Sequence, residues 1–225
     1  MTNITHEQIV RSRRRTLAIV ITHDARVEVR SPLNMPVEFI EKFIERKSAW
    51  IDRKIAEVAS RPRRAMKEFV EGETFPYLGV SYPLMIRDSA SEAFSFDNGF
   101  YLAVSAHNGA KQLFIDWYRS QAALMIKDRL DARALSNKIS YDKFRITGAR
   151  SKWGSCSGRG RLCFSWRLVM APLNVIDYVV AHELAHIDRK DHSKQFWARV
   201  AELFPEYRES ESWLKDNGHF LAGII

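Results

Sequence analysis

The chain has 225 residues, 46% hydrophobic and 28% charged, with 35 Lys and Arg against 27 Asp and Glu. That length serves one large domain or two small ones, and the apolar share is ordinary for a globular fold. No apolar run approaches the ~20 residues that span a bilayer. The opening MTNITHEQIVRSRRR lacks the apolar core of a secretory signal, and two cysteines make no disulfide framework. A membrane span and a disulfide-stapled module are therefore excluded, and the expectation is a cytoplasmic protein with reduced thiols.

The net charge of +8 gathers in three places. They are Arg11 with Arg13, Arg14 and Arg15; Arg61 with Arg63, Arg64 and Lys67; and Arg145 with Arg150, Lys152, Arg159 and Arg161. Such clusters are solvated faces or anion-attracting surfaces. No nucleic-acid motif accompanies them, so the first two are read as solvated.

Along the chain, Leu17, Ile19 and Ile21 alternate as a strand. A turn at His23-Asp24-Ala25-Arg26 leads to a second strand over 27–30. Pro36 suits the first turn of a helix that carries Phe39, Ile40, Phe43, Ile44, Trp50 and Ile51 to about Ala59, where Arg61-Pro62-Arg63-Arg64 breaks it. Residues 77–86 read as a strand pair or a strand bent at Gly79. Asp97-Asn98-Gly99 predicts a hairpin with a type I′ turn. A long amphipathic helix runs from Asn108 to about Leu135, with Leu113, Phe114, Trp117, Leu124 and Leu130. Strands follow at 143–146, 152–156 and 161–166. Helices follow after Pro172, from Ser193 and, briefly, after Pro205. A boundary near residue 106 separates a β-rich region with one long helix (1–106) from the C-terminal region (107–225), the two packing as one unit.

The helix after Pro172 carries the most informative residues, His182-Glu183-Leu184-Ala185-His186, with His192 shortly beyond. Residues four apart share a helix face, so His182 and His186 can point at one metal ion, with Glu183 beside them as a general base. Hydrolytic zinc sites take three protein ligands and leave one position for water, and His192 is a candidate third ligand. The preceding Val175–Ala181 stretch is apolar enough for a buried helix, with Asn174 as its N-cap. A buried helix does not carry such polar groups without partners. Ser193 is read as the N-cap of the next helix, which carries Phe196, Trp197 and Val200. His6, His23, His107 and His219 lack ligand spacing. Asp188 and Asp191 either orient a ligand histidine or are solvated.

With HELAHIDRKDHSKQFW (182–197) and Arg150-Ser151-Lys152-Trp153-Gly154-Ser155-Cys156 both in view, the chain resembles the YgjP-like family of bacterial zinc metallopeptidases, which is itself similar to the SprT and WLM-type zincins. The resemblance extends over nearly the whole chain, including Trp50-Ile51. It implies an α+β fold with a zincin-like catalytic core, a zinc cofactor, His182, His186 and His192 as ligands, and Glu183 as base. The histidine spacing also equals that of the metzincins, which place a glycine where this chain has Arg189, and the chain is not assigned to them. Geometry requires a helix end between His186 and His192.

The 150–156 segment is read as an edge strand lining the cleft or as an ordinary hairpin strand. In the first case Gly154 allows close approach, Arg150 or Lys152 meets an anionic group, and Trp153 and Ser155 line the substrate side. Cys156 and Cys163 fall opposite each other if the turn is Arg159-Gly160, most simply as small buried hydrophobes. The leading expectation is a zinc hydrolase acting on peptides or proteins. The resemblance also raises a nucleoside triphosphate (UTP) pyrophosphatase, for which the third basic cluster would suit an anionic nucleotide. It further raises a SprT-like DNA-associated protein, although no nucleic-acid motif supports that.

Overall fold

The computed structural model describes residues 9–22, 25–60, 67–88 and 92–225. His6, the His23-Asp24 half of the first turn and the Arg61-Pro62-Arg63-Arg64 breaker lie outside them. The chain divides into two compact units, Met1–Arg64 and Ala65–Ile225, so the stretch from 65 to 106 belongs to the second.

In the first unit, β2 (Ala18–Ile21) and β3 (Val27–Pro32) pair antiparallel, with Ile19 opposite Val29 and Ile21 opposite Val27. A further strand, β1 (Ile9–Ser12), pairs parallel with the other side of β3, in a stretch read from the sequence only as basic. Arg11 accounts for part of that cluster: its Nη1 donates to the carbonyls of Leu33 and Met35 at 2.9 and 2.8 Å, holding the chain as it leaves β3. The single helix expected to Ala59 is two helices, α1 (Val37–Arg46) and α2 (Ser48–Ala59), parted at Lys47. No glycine or proline marks the break. Ile40 and Ile51 are buried with Val27 and Val29, and Ile44 and Ile55 pack beside them.

In the second unit, β4 (Thr74–Tyr77) and β5 (Val80–Arg87) form a hairpin. Leu78 (φ 49) and Gly79 (φ 84) supply the two left-handed residues of a type I′ turn. A Cβ on Gly79 would lie 2.8 Å from Pro172 Cγ, and the Leu78 and Gly79 amides donate to the carbonyls of Val169 and Met170. This turn therefore braces the entry to the helix that carries the site.

The second hairpin, β6 (Phe94–Phe96) with β7 (Phe100–Ala103), departs from expectation. Its loop has three residues, Phe96 pairs with Phe100, and Asn98 alone is left-handed (φ 48). Gly99 is not left-handed; its missing side chain leaves room for the end of Met85, whose Cε would lie 2.2 Å from an added Cβ. The sheet order is β4-β5-β7-β6, with β5 and β7 parallel.

Helix α3 (Ala110–Ser136) buries Ala110, Phe114, Tyr118, Ala122, Ile126, Leu130 and Ala134, one residue per turn of a single stripe. Phe114 stacks on Phe75 at 4.1 Å and lies 4.9 Å from Phe100. Each such buried ring contributes about 1.5–3 kcal/mol through apolar burial. Leu124, which the sequence assigned to the apolar stripe, is exposed.

The second sheet, β8 (Lys143–Thr147), β9 (Gly154–Cys156) and β10 (Arg161–Ser165), has order β8-β10-β9. β10 runs parallel to β8 and antiparallel to β9. The connection from β9 to β10 is Ser157 to Gly160, not two residues. Cys163 therefore pairs with Ser155 and Cys156 with Leu162, one register step from the expected pairing. That step puts the two cysteines on opposite faces, because strand side chains alternate.

Three helices complete an α+β fold: α4 (Leu173–Asp188), α5 (Lys194–Leu203) and α6 (Tyr207–Leu221). Pro172, not Asn174, caps α4, and α6 spans 15 residues where a short helix was expected. α4 is the centre of the unit, with Val175, Ile176, Val179, Val180, Ala181, Leu184 and Ala185 buried against α3, α5, α6 and β9. Arg129 of α3 grips Asp177 through two hydrogen bonds of 2.6 and 2.9 Å. Among the described residues, no helix is long and apolar enough to cross a membrane.

Candidate metal centre

His182 and His186 follow one another by a turn on α4, with Tyr178 a turn before them. The helix ends at Asp188, and Arg189 adopts an extended conformation (φ −131, ψ 115). This is the helix end that the histidine spacing requires, and the chain turns back so that His192 meets the other two. The Nε2 atoms of His182 and His192 stand 3.3 Å apart. The ring centroids of His186 and His192 are 4.8 Å apart, and those of His182 and His186 are 4.9 Å apart. One ring nitrogen from each residue lies within 4.8 Å of the others, a group able to hold a metal ion.

A backbone oxygen orients His186. Its Nδ1 lies 2.8 Å from the Arg189 carbonyl, which only accepts, so Nδ1 carries the proton and Nε2 keeps its lone pair. Neither nearby aspartate takes the orienting role considered from the sequence. Asp188 pairs with Arg199 at 2.9 Å, and Asp191 accepts from the Ser193 hydroxyl at 2.8 Å. Ser193 is the N-cap of α5, as its sequence position predicts, and its Oγ accepts from the Phe196 amide at 3.4 Å.

That cap seats Phe196, a fully buried ring that all three imidazoles touch. Its centroid is 4.4 Å from His186, 4.8 Å from His192 and 4.9 Å from His182. Trp197 lies 5.8 Å and Tyr178 5.9 Å from the His182 ring. The sequence showed Phe196 as an apolar helix position. Its four-residue spacing from His192 was the available signal for a supporting role, as was the spacing of Tyr178 from His182.

Burial and the two neighbouring imidazoles push the His182 pKa down to about 3, and burial lowers that of His186. Both rings are held neutral, as metal ligation requires. Glu183 is 5% exposed, and its Oε2 has no hydrogen-bond partner. Burial pushes its carboxyl up to about 8, with Lys152 pulling the other way.

Strand β9 lies directly over this carboxylate. A Cβ on Gly154 would fall 2.4 Å from Glu183 Oε1, so only glycine lets the strand come this close. Cys156, on the same strand, has a thiol pushed up by burial and stands 3.5 Å from Lys190 Nζ. Lys152, Trp153, Gly154 and Ser155 line a cavity of about 190 Å³ with Thr147, Ala149, Cys163 and Ser165. Trp153 packs on Gly218 of α6, where an added Cβ would meet its indole at 3.1 Å.

Two other cationic candidates are engaged differently. Arg150 donates to the Ile225 backbone oxygen at 3.3 Å, beside buried Arg167, which donates to the same atom at 3.2 Å. Arg161 pairs with Asp142 at 3.0 Å on the surface. His107 and His219 are exposed and stand outside the histidine group.

Two histidines on an HExxH helix met by a third from the turn that follows it, with a buried glutamate under an edge strand, define a candidate metal-dependent hydrolase. The chain belongs to the YgjP-like family, whose metallopeptidase-domain model matches residues 15–217. No curated protein and no solved structure matches it.

Proposed function

We propose that the protein is a zinc-dependent peptidase with a zincin-like core, in which His182, His186 and His192 hold the ion and Glu183 is the general base. The observation that carries this reading is the 3.3 Å approach of two imidazole Nε2 atoms. Zinc–nitrogen bonds of about 2.0–2.1 Å at a tetrahedral angle place two ligand nitrogens about 3.3–3.4 Å apart. Neutral imidazoles suit zinc, and His186 carries the backbone-held Nδ1 proton that commonly accompanies ligation.

When bound, the ion supplies a Lewis-acid charge that lowers the pKa of water and polarises a carbonyl. Glu183 does the proton work. With a cation beside it the buried carboxyl would ionise, and its unpartnered Oε2 would take a proton from the attacking water and later deliver it to the leaving amine. Gly154 holds the β9 backbone against that carboxylate and limits its rotamers. β9 is the outer strand of its sheet among the described residues, the position at which an extended peptide adds as a further strand.

Phosphate chemistry favours Mg²⁺ on carboxylates, whereas the group here contains only histidines. Two members of the basic cluster have partners within the protein, Arg150 at the Ile225 backbone oxygen and Arg161 at Asp142, which favours the peptide reading. The direct test is Glu183→Gln, assayed in parallel on an unstructured protein and a nucleoside triphosphate panel. The metal is retained and proteolysis falls about 10²–10⁴-fold, the usual scale of a general base. Triphosphate hydrolysis without proteolysis by the parent protein would overturn the substrate assignment.

A further inference from the structure

A groove of about 880 Å³ runs between α5 and α6, and Trp197, which touches the ligand histidines, lies in its wall. From the structure we infer that this groove is the substrate-selecting site of the peptidase and receives a peptide segment in which apolar and acidic residues adjoin. This rests on the peptidase reading for the nature of the occupant.

Three observations support the choice. First, the groove adjoins the metal centre through one side chain: Trp197 forms part of its wall, and its ring lies 5.8 Å from His182 and 6.1 Å from His192. A chain lying in it packs on the same ring that stands beside two of the histidines. Second, its walls are largely apolar, from Trp197, Ala198, Ala201, Pro205 and Tyr207. Small side chains at 198 and 201 leave room that larger ones would fill.

Third, the charges at its rim do not cancel. Glu211 is paired with Lys215 at 2.8 Å, which leaves exposed Lys194 and Arg208 as the uncompensated charges of the groove. Acidic side chains on a bound peptide complement them. A nucleic acid would complement them too, but it binds without sequence preference by stacking bases on open aromatic faces. Here Tyr207 is buried and stacks on Trp197 at 5.5 Å and on Tyr178 at 6.5 Å, so its ring offers a groove wall and not an open platform for a base.

The test uses full-length, zinc-loaded Glu183→Gln protein, so that binding is read without cleavage. Fluorescence anisotropy is measured with three fluorescein-labelled probes: a peptide alternating Leu and Glu, one alternating Leu and Lys, and a twelve-residue thymidine oligonucleotide. The Leu/Glu peptide is expected to bind best. Its affinity should fall about tenfold on joint Lys194→Glu and Arg208→Glu replacement, an effect that fades with salt. The same pair should improve binding of the Leu/Lys peptide. Ala198→Trp, which fills the groove without changing charge, should weaken the Leu/Glu peptide as well.

Equal binding of both peptides, or parent-like binding by both variants, would overturn the proposal. So would oligonucleotide binding that exceeds peptide binding and is lost on charge reversal. The two readings separate cleanly. Variant-sensitive binding with no cleavage by the Glu183-containing protein removes the peptidase reading and keeps the groove. Cleavage by that protein that ignores both groove changes removes the groove and keeps the peptidase.

Discussion

At the scale of single residues, the site depends on one buried carboxylate and one missing side chain. Glu183 is a buried carboxyl whose Oε2 has no partner, an arrangement whose desolvation cost is offset when a cation stands beside it. Gly154 fixes where that carboxylate lies. Gly154→Ala would force the buried Glu183 side chain to move from Cγ outward, because an added Cβ would stand 2.5 Å from Cγ and 2.4 Å from Oε1. The expected outcome is parent-like metal content with hydrolysis down at least about tenfold, because small misplacements of a reacting group are costly in rate. Parent-like turnover by this variant would show that Glu183 tolerates displacement and does not act as the base. The HExxH pair was legible because helical spacing alone aligns it. The cysteine pairing was not, because a strand's register depends on the length of its connection, and Ser157 to Gly160 proved longer than the Arg159-Gly160 turn the composition suggested.

At the scale of elements, α4 and α5 act together. α4 supplies two imidazoles and α5, started by the Ser193 cap, supplies the ring that backs all three. Ser193→Ala is expected to cost about 0.5–2 kcal/mol, the usual range for a lost cap, measured by denaturant titration. Phe196→Ala should cost about 3–5 kcal/mol as a buried large-to-small change. It should also lower metal affinity at least about tenfold in a competition titration, because the imidazoles lose the surface that orients them. Unchanged affinity in Phe196→Ala would mean the turn at Arg189 suffices to fix the ligands.

The helices were mostly readable from apolar spacing, α3 especially, whose buried stripe runs from Ala110 to Ala134. The break at Lys47 was not, because Ile40, Ile44, Ile51 and Ile55 keep helical spacing across it. β1 escaped notice because its residues are mostly exposed and its pairing with β3 is parallel, a long-range contact without a local turn signal.

At the scale of the whole molecule, the proposed ligands, the proposed base and the proposed groove lie within Ala65–Ile225. A chain beginning at Ala65 is therefore expected to bind metal as the full chain does, by titration of purified protein. Metal that binds only the folded state adds about 2.7 kcal/mol at a hundredfold excess over its Kd. For a protein of this size that is about 5–10 °C in Tm, lost on chelation and restored by zinc. The central claim is the three-histidine metal centre, and elemental analysis of the purified protein and its variants tests it most directly. One zinc per chain is predicted for the parent and for Glu183→Gln, with sharp loss in His182→Ala, His186→Ala and His192→Ala. Full zinc content in His192→Ala would contradict the account, placing the third ligand elsewhere.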